Sequence, residues 1–221
     1  TLNVYGRVED LTKRKVYSFD DSVHLTFREN QKDIDHSVFQ RSIPLGPGRY
    51  KLVAIVKDVK SGKIGTLERG IVVPDGSTED LELSPVILAD DVQPAKYEEF
   101  ISDPFILGGV KVYPSVENIF QRGEPVAFYF EVYNVMADQQ TLQSDLSLNL
   151  RISKDGREIS TPFQDKDVGQ LLHRYSDRFF VGSKFNSTPL DPGKYQLTVS
   201  VTDNVAGEDV EKTIIFEIVP S

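Results

Sequence analysis

The chain has no cysteine, no tryptophan and a single methionine, and its basic residues are outnumbered by acidic ones. Without cysteine there is no disulfide, no thiolate nucleophile and no thiolate-bound metal. The compartment stays open on that count, since exported bacterial domains and cytosolic ones alike can lack cysteine. No apolar run approaches the ~18 residues of a membrane span, so direct membrane insertion is not expected. A hydrophobic fraction of 39% with 27% charged residues describes a globular chain. Lys plus Arg number 25 against 34 Asp plus Glu, and the net charge of −9 opposes attraction to phosphate backbones, so nucleic acid is not an expected partner. Helical periodicity is missing apart from short turns allowed around Pro94 to Phe100 and Gly169 to Arg174. The opening Thr1-Leu2-Asn3-Val4 lacks an initiator Met, a basic n-region and an apolar h-region, as expected of a processed protein or an excised fragment.

What fills the chain is alternation of period two. Val126, Phe128, Phe130 and Val132 alternate with Ala127, Tyr129, Glu131 and Tyr133; Tyr195, Leu197, Val199 and Val201 alternate with Gln196, Thr198, Ser200 and Thr202. Such segments are strands with one buried face. Turn chemistry at Arg122-Gly123-Glu124-Pro125, Lys154-Asp155-Gly156-Arg157, Asp191-Pro192-Gly193 and Ala206-Gly207-Glu208 separates them. The spacing predicts strands at 109–115, 125–135, 144–153, 157–163, 176–186, 193–203 and 209–219, the pattern of a β-sandwich.

The chain also repeats itself. Residues 42–58, SIPLGPGRYKLVAIVKD, and 187–203, STPLDPGKYQLTVSVTD, share nine of seventeen positions. Asp191, Pro192, Gly193 and Tyr195 have the spacing of the tyrosine corner of immunoglobulin-like sandwiches, where the chain turns into the sixth strand and a tyrosine hydroxyl bonds back to upstream backbone. The first copy keeps Pro47, Gly48 and Tyr50 with Gly46 in place of Asp191. These residues are read as structural. Strands at Val4–Val8, Val23–Phe27, Ser37–Ile43, Tyr50–Asp58 and Ile64–Val73 are expected in the first half, with Val4–Val8 matching the third strand of the second copy. The fold expected is therefore all-β, two tandem immunoglobulin/fibronectin-III-like antiparallel β-sandwiches, the first lacking its first strands. Its parts are a truncated sandwich at 1–88, into which Leu81–Leu88 can fold back, a linker at 89–108 and a full sandwich at 109–221.

Chemistry-bearing constellations are scarce. His24, His36 and His173 show no metal-ligand spacing, and no nucleophile elbow, zinc-protease motif or phosphate loop occurs. Asp20-Asp21, Asp90-Asp91 and Asp203 with Glu208 and Asp209 lack calcium-loop spacing and read as solvated turns. Asn186-Ser187-Thr188 fits a glycosylation sequon, meaningful only in a eukaryotic secretory setting. No catalytic residue, metal or cofactor is expected, and the chain is not expected to be an enzyme. Two candidate contact surfaces remain. Val53 and Ile55 sit where the second copy has Thr198 and Ser200, giving the first domain an apolar patch on its outer face. Tyr129 and Tyr133, on the polar face of one strand, form a shelf for sugar rings, or else serve cross-strand packing or lie under a loop.

The phrases VYGRVEDLTKRKVYSFDDSVHLTF, IPLGPGRYKLVAIVKDVKSGKIGTLERGIVVPD, LELSPVILAD and AFYFEVYNV resemble β-sandwich regions of bacterial exported proteins of the VWFA-related and GWxTD-domain groups. The metal-adhesion motif D-x-S-x-S and the Gly-Trp-x-Thr-Asp motif of those groups are both missing, so no functional residue carries over. The resemblance implies a periplasmic, cell-surface or secreted location. The function expected is a non-catalytic spacer or protein-interaction module of a larger envelope or secreted protein, its partner a protein or other domains of the same parent chain. The alternative is a carbohydrate-binding accessory module.

Overall fold

A computed structural model describes residues 1–23, 38–73, 79–95, 103–159, 172–175 and 178–221. All regular structure among them is β-strand, antiparallel throughout except for one short parallel pairing. The fold class is the all-β one that the alternation predicts. Two compact units divide the chain, Thr1–Thr78 and Glu79–Ser221.

The first unit is a four-stranded sheet in the order β2-β1-β3-β4, with β1 Leu2–Asp10, β2 Lys15–Val23, β3 Gly48–Asp58 and β4 Ile64–Val73. Alternation in β1 buries Val4, Gly6 and Val8 and leaves Asn3 exposed. Gly6 is needed because the Phe19 ring lies where its Cβ would be. Aspartates close both hairpins. Asp10 Oδ1 accepts from Thr12 N at 2.8 Å, Thr12 Oγ1 at 2.6 Å and Arg14 N at 3.0 Å. Asp58 accepts from Lys60 N at 2.9 Å and Ser61 Oγ at 2.5 Å. Such local bonds favour turns over strand continuation.

The second unit is a two-sheet sandwich. Its strands are β5 Glu82–Leu83, β6 Ile87–Pro94, β7 Ile106–Leu107, β8 Val110–Pro114, β9 Ile119–Gln121, β10 Pro125–Tyr133, β11 Leu146–Lys154, β12 Arg157–Ile159, β13 Leu172–Tyr175, β14 Arg178–Asn186, β15 Gly193–Asp203 and β16 Glu208–Val219. One sheet runs β13-β14-β10-β6-β8-β7, with β5 also on β10; the other runs β12-β11-β15-β16-β9. Between them lies one apolar core built from Val126, Phe128, Phe130 and Val132 of β10 against Leu150, Ile152, Tyr195, Leu197, Val199 and Phe216. The β14-β10 pair facing β11-β15-β16 is the immunoglobulin-like arrangement. Strand β6 intervenes between β10 and β8, where the plain fold would pair first and second strands directly.

The two units use one sheet twice. Tyr50 stands opposite Ile71 as Tyr195 stands opposite Phe216, so β3-β4 and β15-β16 share one register. Leu2 pairs with Asp58 as Leu146 pairs with Asp203, which likewise matches β1 to β11. Side-chain facing in a sheet flips with a single-residue slip; the repeated letters therefore preserve which side chains face inward.

Several expectations need correction. Leu81, Leu83 and Leu88 belong to the core of the second unit, not the first. The expected linker contains most of β6, whose polar sequence conceals a strand because a bulge between Ala89 and Asp91 breaks its alternation. In the first unit a strand occupies Lys15–Val23, where Asp20-Asp21 disturbs the pattern, while the strand expected at Val23–Phe27 lies almost wholly outside the described residues. Residues 38–43 form no strand. Leu172–Tyr175, expected as loop or helical turn around His173, is a strand paired with β14.

Candidate functional site

Both tyrosine corners are built alike. Tyr195 Oη donates to Asp191 O at 2.5 Å, and Tyr50 Oη donates to Gly46 O at 2.8 Å. The acceptor is backbone, which is why Gly46 serves as well as Asp191. Gly48 and Gly193 adopt φ of 151° and 144°, values that favour glycine at both corners. Pro47 and Pro192 precede them. In the second unit the corner is further tied by Ser187, fully buried, whose hydroxyl donates to Glu124 O at 2.6 Å and accepts from Gly123 N at 2.9 Å. The sequon around Ser187 is engaged internally, with Asn186 Oδ1 accepting from Thr188 N at 2.8 Å.

The expected contact residues are placed differently from one another. Val53 and Ile55 are half-buried on the outer face of β3, flanked in register by Arg7 and Glu68, and by Tyr5 and Thr66. Tyr129 is 2% exposed and packs with Ala89, Val110, Val112 and Ala127 in a second small core on the outer side of its sheet. Burial pushes its phenol upward from 10.0, so it stays protonated and donates to Glu131 Oε1 at 2.9 Å. Tyr133 is half-buried, with the Arg178 guanidinium 4.9 Å above its ring. Tyr129, packed against β6 and β8, is not open to a sugar ring.

Sequence reasoning read Asp203 as a solvated turn residue, but it is buried at the centre of the most developed polar cluster, at one end of the second sandwich. The loop between β10 and β11 and the turn between β15 and β16 meet there, the positions that carry recognition loops in immunoglobulin variable domains. Asp203 is fully buried and joins them: Oδ2 accepts from Met136 N at 2.7 Å, and Oδ1 from Val205 N at 2.9 Å and Ala206 N at 3.1 Å. Asn204 Nδ2 donates to Asp145 Oδ1 at 3.1 Å and Ser147 Oγ at 2.9 Å. Asp138 Oδ1 accepts from Gln140 N, Thr141 N and Thr141 Oγ1, holding its carboxyl below the usual value.

These loops flank an open cleft of about 600 Å³ lined by Asp138, Thr141, Gln143, Ser144, Asp145, Asn204 and Val205. Ser144 Oγ is buried there without a hydrogen-bond partner among the described residues. Beside the cleft, Leu142 is 71% exposed at φ 56° and Met136 is 51% exposed. A leucine held in the left-handed region and turned to water is a backbone outlier of the kind that accumulates at recognition sites. The D-x-x-T pattern of 138–141 was the available sequence signal, masked by its likeness to any polar turn.

The remaining titratable residues among those described add no site. His24 and His36 lie outside the described residues. Asp21 pairs with Arg41 at 2.5 Å, and Asp91 accepts from Val92 N at 2.9 Å. Among the described residues no group of three or more acidic or histidine side chains is arranged to hold a metal ion.

No protein-family model and no curated protein matches the chain. Among solved structures it is similar to a chain labelled BspA_C_WT, at 13% identity with a TM-score of 0.27, over 78% of this chain and 60% of that one. The chain thus spans about three-fifths of that structure's length.

Proposed function

We propose that this chain is a non-catalytic β-sandwich module of a larger bacterial envelope or secreted protein, and that it engages a protein partner through the loop end of its second unit. The observation that supports the reading is the buried Asp203, which fixes two loops against each other at an end where Met136 and Leu142 are exposed. Fixing loops on a rigid scaffold is how sandwich ends become recognition surfaces, because less ordering is left to occur on binding. The resemblance of its strand and turn phrases to exported bacterial sandwiches supports the location. No helix among the described residues is long and apolar enough to cross a membrane.

Selection of a random peptide library displayed on phage against the full chain tests the reading. Enriched peptides should bind wild type and lose at least about tenfold in affinity to a Met136→Ser, Leu142→Ser double variant, a loss of ~1.4 kcal/mol. Binders indifferent to that variant, specific signal on a glycan array, or turnover in an esterase, glycosidase and protease screen would overturn it.

A further inference from the structure

The first unit presents, among its described residues, one sheet where the register-matched sheet of the second unit is covered by another. Leu197, Val199, Val201, Phe216 and Ile218 are each 1% exposed or less, because β10 and β14 lie across them in one core. Their counterparts Leu52, Ala54, Ile71 and Val73 are only half-buried, and Val56, which matches Val201, is 36% exposed. Leu67, opposite Ala54 on the same face, is 57% exposed. On the β1 and β2 side of that face Val4 and Val8 are buried, and Phe19 is stacked on Phe39 at 5.9 Å under the Arg41 guanidinium, so the open part is its β3–β4 side.

We propose that this face takes up a strand–turn–strand segment of the β9–β10 kind. This surface belongs to the first unit, and the inference does not depend on the loop-end reading of the second. Three observations identify the occupant. Strand β9 runs parallel along Glu217–Val219 at the end of β16, whereas β4 is an edge strand with Val72, the counterpart of Glu217, 70% exposed. Ser187 is buried against the turn that joins β9 to β10, whereas the repeated Ser42 is exposed. Strand β14 pairs with β10 from Pro125 to Val132, whereas residues 38–43, which precede the corner as β14 does, form no strand.

Each marks a place where, among the described residues, the same neighbour is missing. A strand alternating like Val126, Phe128, Phe130 and Val132 would cover Leu52, Ala54 and Val56, pair with residues 38–43, and bring its preceding turn to Ser42. Chain order in the second unit, where β10 leads into β11 through residues 134–145, places such a segment on the N-terminal side of β1.

The experiment places a copy of residues 117–145 ahead of Thr1 of the full chain. Hydrogen exchange of β3, β4 and residues 38–47 should slow at least tenfold, with the protein monomeric. A control with Phe128→Asp and Phe130→Asp in the added copy should show no gain. Val56→Asp should leave the unextended chain unchanged, because the side chain is exposed there, yet abolish the gain in the extended one. A synthetic peptide of residues 117–133, titrated into the unextended chain, gives a second measurement should the extended protein fail to fold. Binding at 1:1 that Val56→Asp and Ser42→Ala weaken supports the proposal. Equal protection in both extended proteins, no peptide binding, or an unextended chain that dimerises through Val56 would overturn it, the last by making a second copy the occupant.

Discussion

Replacing Tyr195 by Phe removes one oxygen and leaves the ring stacked on Phe216 at 5.5 Å, so the variant reports the corner hydrogen bond alone. A typical intramolecular hydrogen bond contributes ~1 kcal/mol net, and more when a partner is left without water. Tyr195 is 2% exposed and its bond to Asp191 O is part-buried, which puts the cost at about 1–1.5 kcal/mol. Tyr50→Phe breaks the equivalent bond at an exposed site where water can replace the hydroxyl, and should cost about 0.5 kcal/mol. For a unit of this size the first figure corresponds to ~3 °C in Tm. Two units need not unfold together, so the assay is urea-dependent hydrogen exchange resolved to β3 and β15, with melting as a check. A Tyr195→Phe protein within about 0.3 kcal/mol of wild type, or a larger loss for Tyr50→Phe, would refute the corner energetics.

Asp203→Asn should cost about 2–3 kcal/mol, since it weakens three bonds to a buried carboxylate; it should also speed exchange across residues 134–145, and a loss below ~0.5 kcal/mol contradicts the loop-tie reading. Ser187→Ala strands Gly123 N and should cost about 1–3 kcal/mol, whereas Ser42→Ala should change stability by less than ~0.3 kcal/mol, both read from denaturant midpoints. Acid should destabilise both units through their turn aspartates. Hydrogen bonds from Thr12 to Asp10, from Ser61 to Asp58 and from Thr141 to Asp138 hold these carboxyls below 3.8 in the folded chain. Their contribution is present above that value and lost as pH falls through the lower folded values. Urea midpoints should hold above about pH 4.5 and fall below it, with a shallower fall in Asp58→Asn; a midpoint that rises with acid contradicts the assignment.

What could be read directly from the letters is what depends on neighbours in sequence. Alternation located β10, β11, β15 and β16, because a strand's two faces differ in solvent contact wherever one is buried. The repeated Pro-Gly-x-Tyr marked both corners, because φ near 150° at Gly48 and Gly193 and the short reach from Tyr to a carbonyl four residues back are local demands. Strand β6 escaped because its bulge spoils the period, and Leu81–Leu88 was given to the wrong unit because an apolar run does not state which sheet will bury it.

The loop end was illegible for a similar reason. Asp203 looks like any turn aspartate until Met136, 67 residues earlier, donates to it. Tyr129 was read on a polar face because alternation assigns one side of a strand to water; the covering of that side by Val110 and Val112 is a long-range event. Sequence thus determined the sheet that the chain uses twice, since register and facing follow from alternation and turn geometry. Tertiary structure decided that one copy of the sheet is buried and the other partly open, because burial depends on which strands arrive from elsewhere in the chain to lie across it.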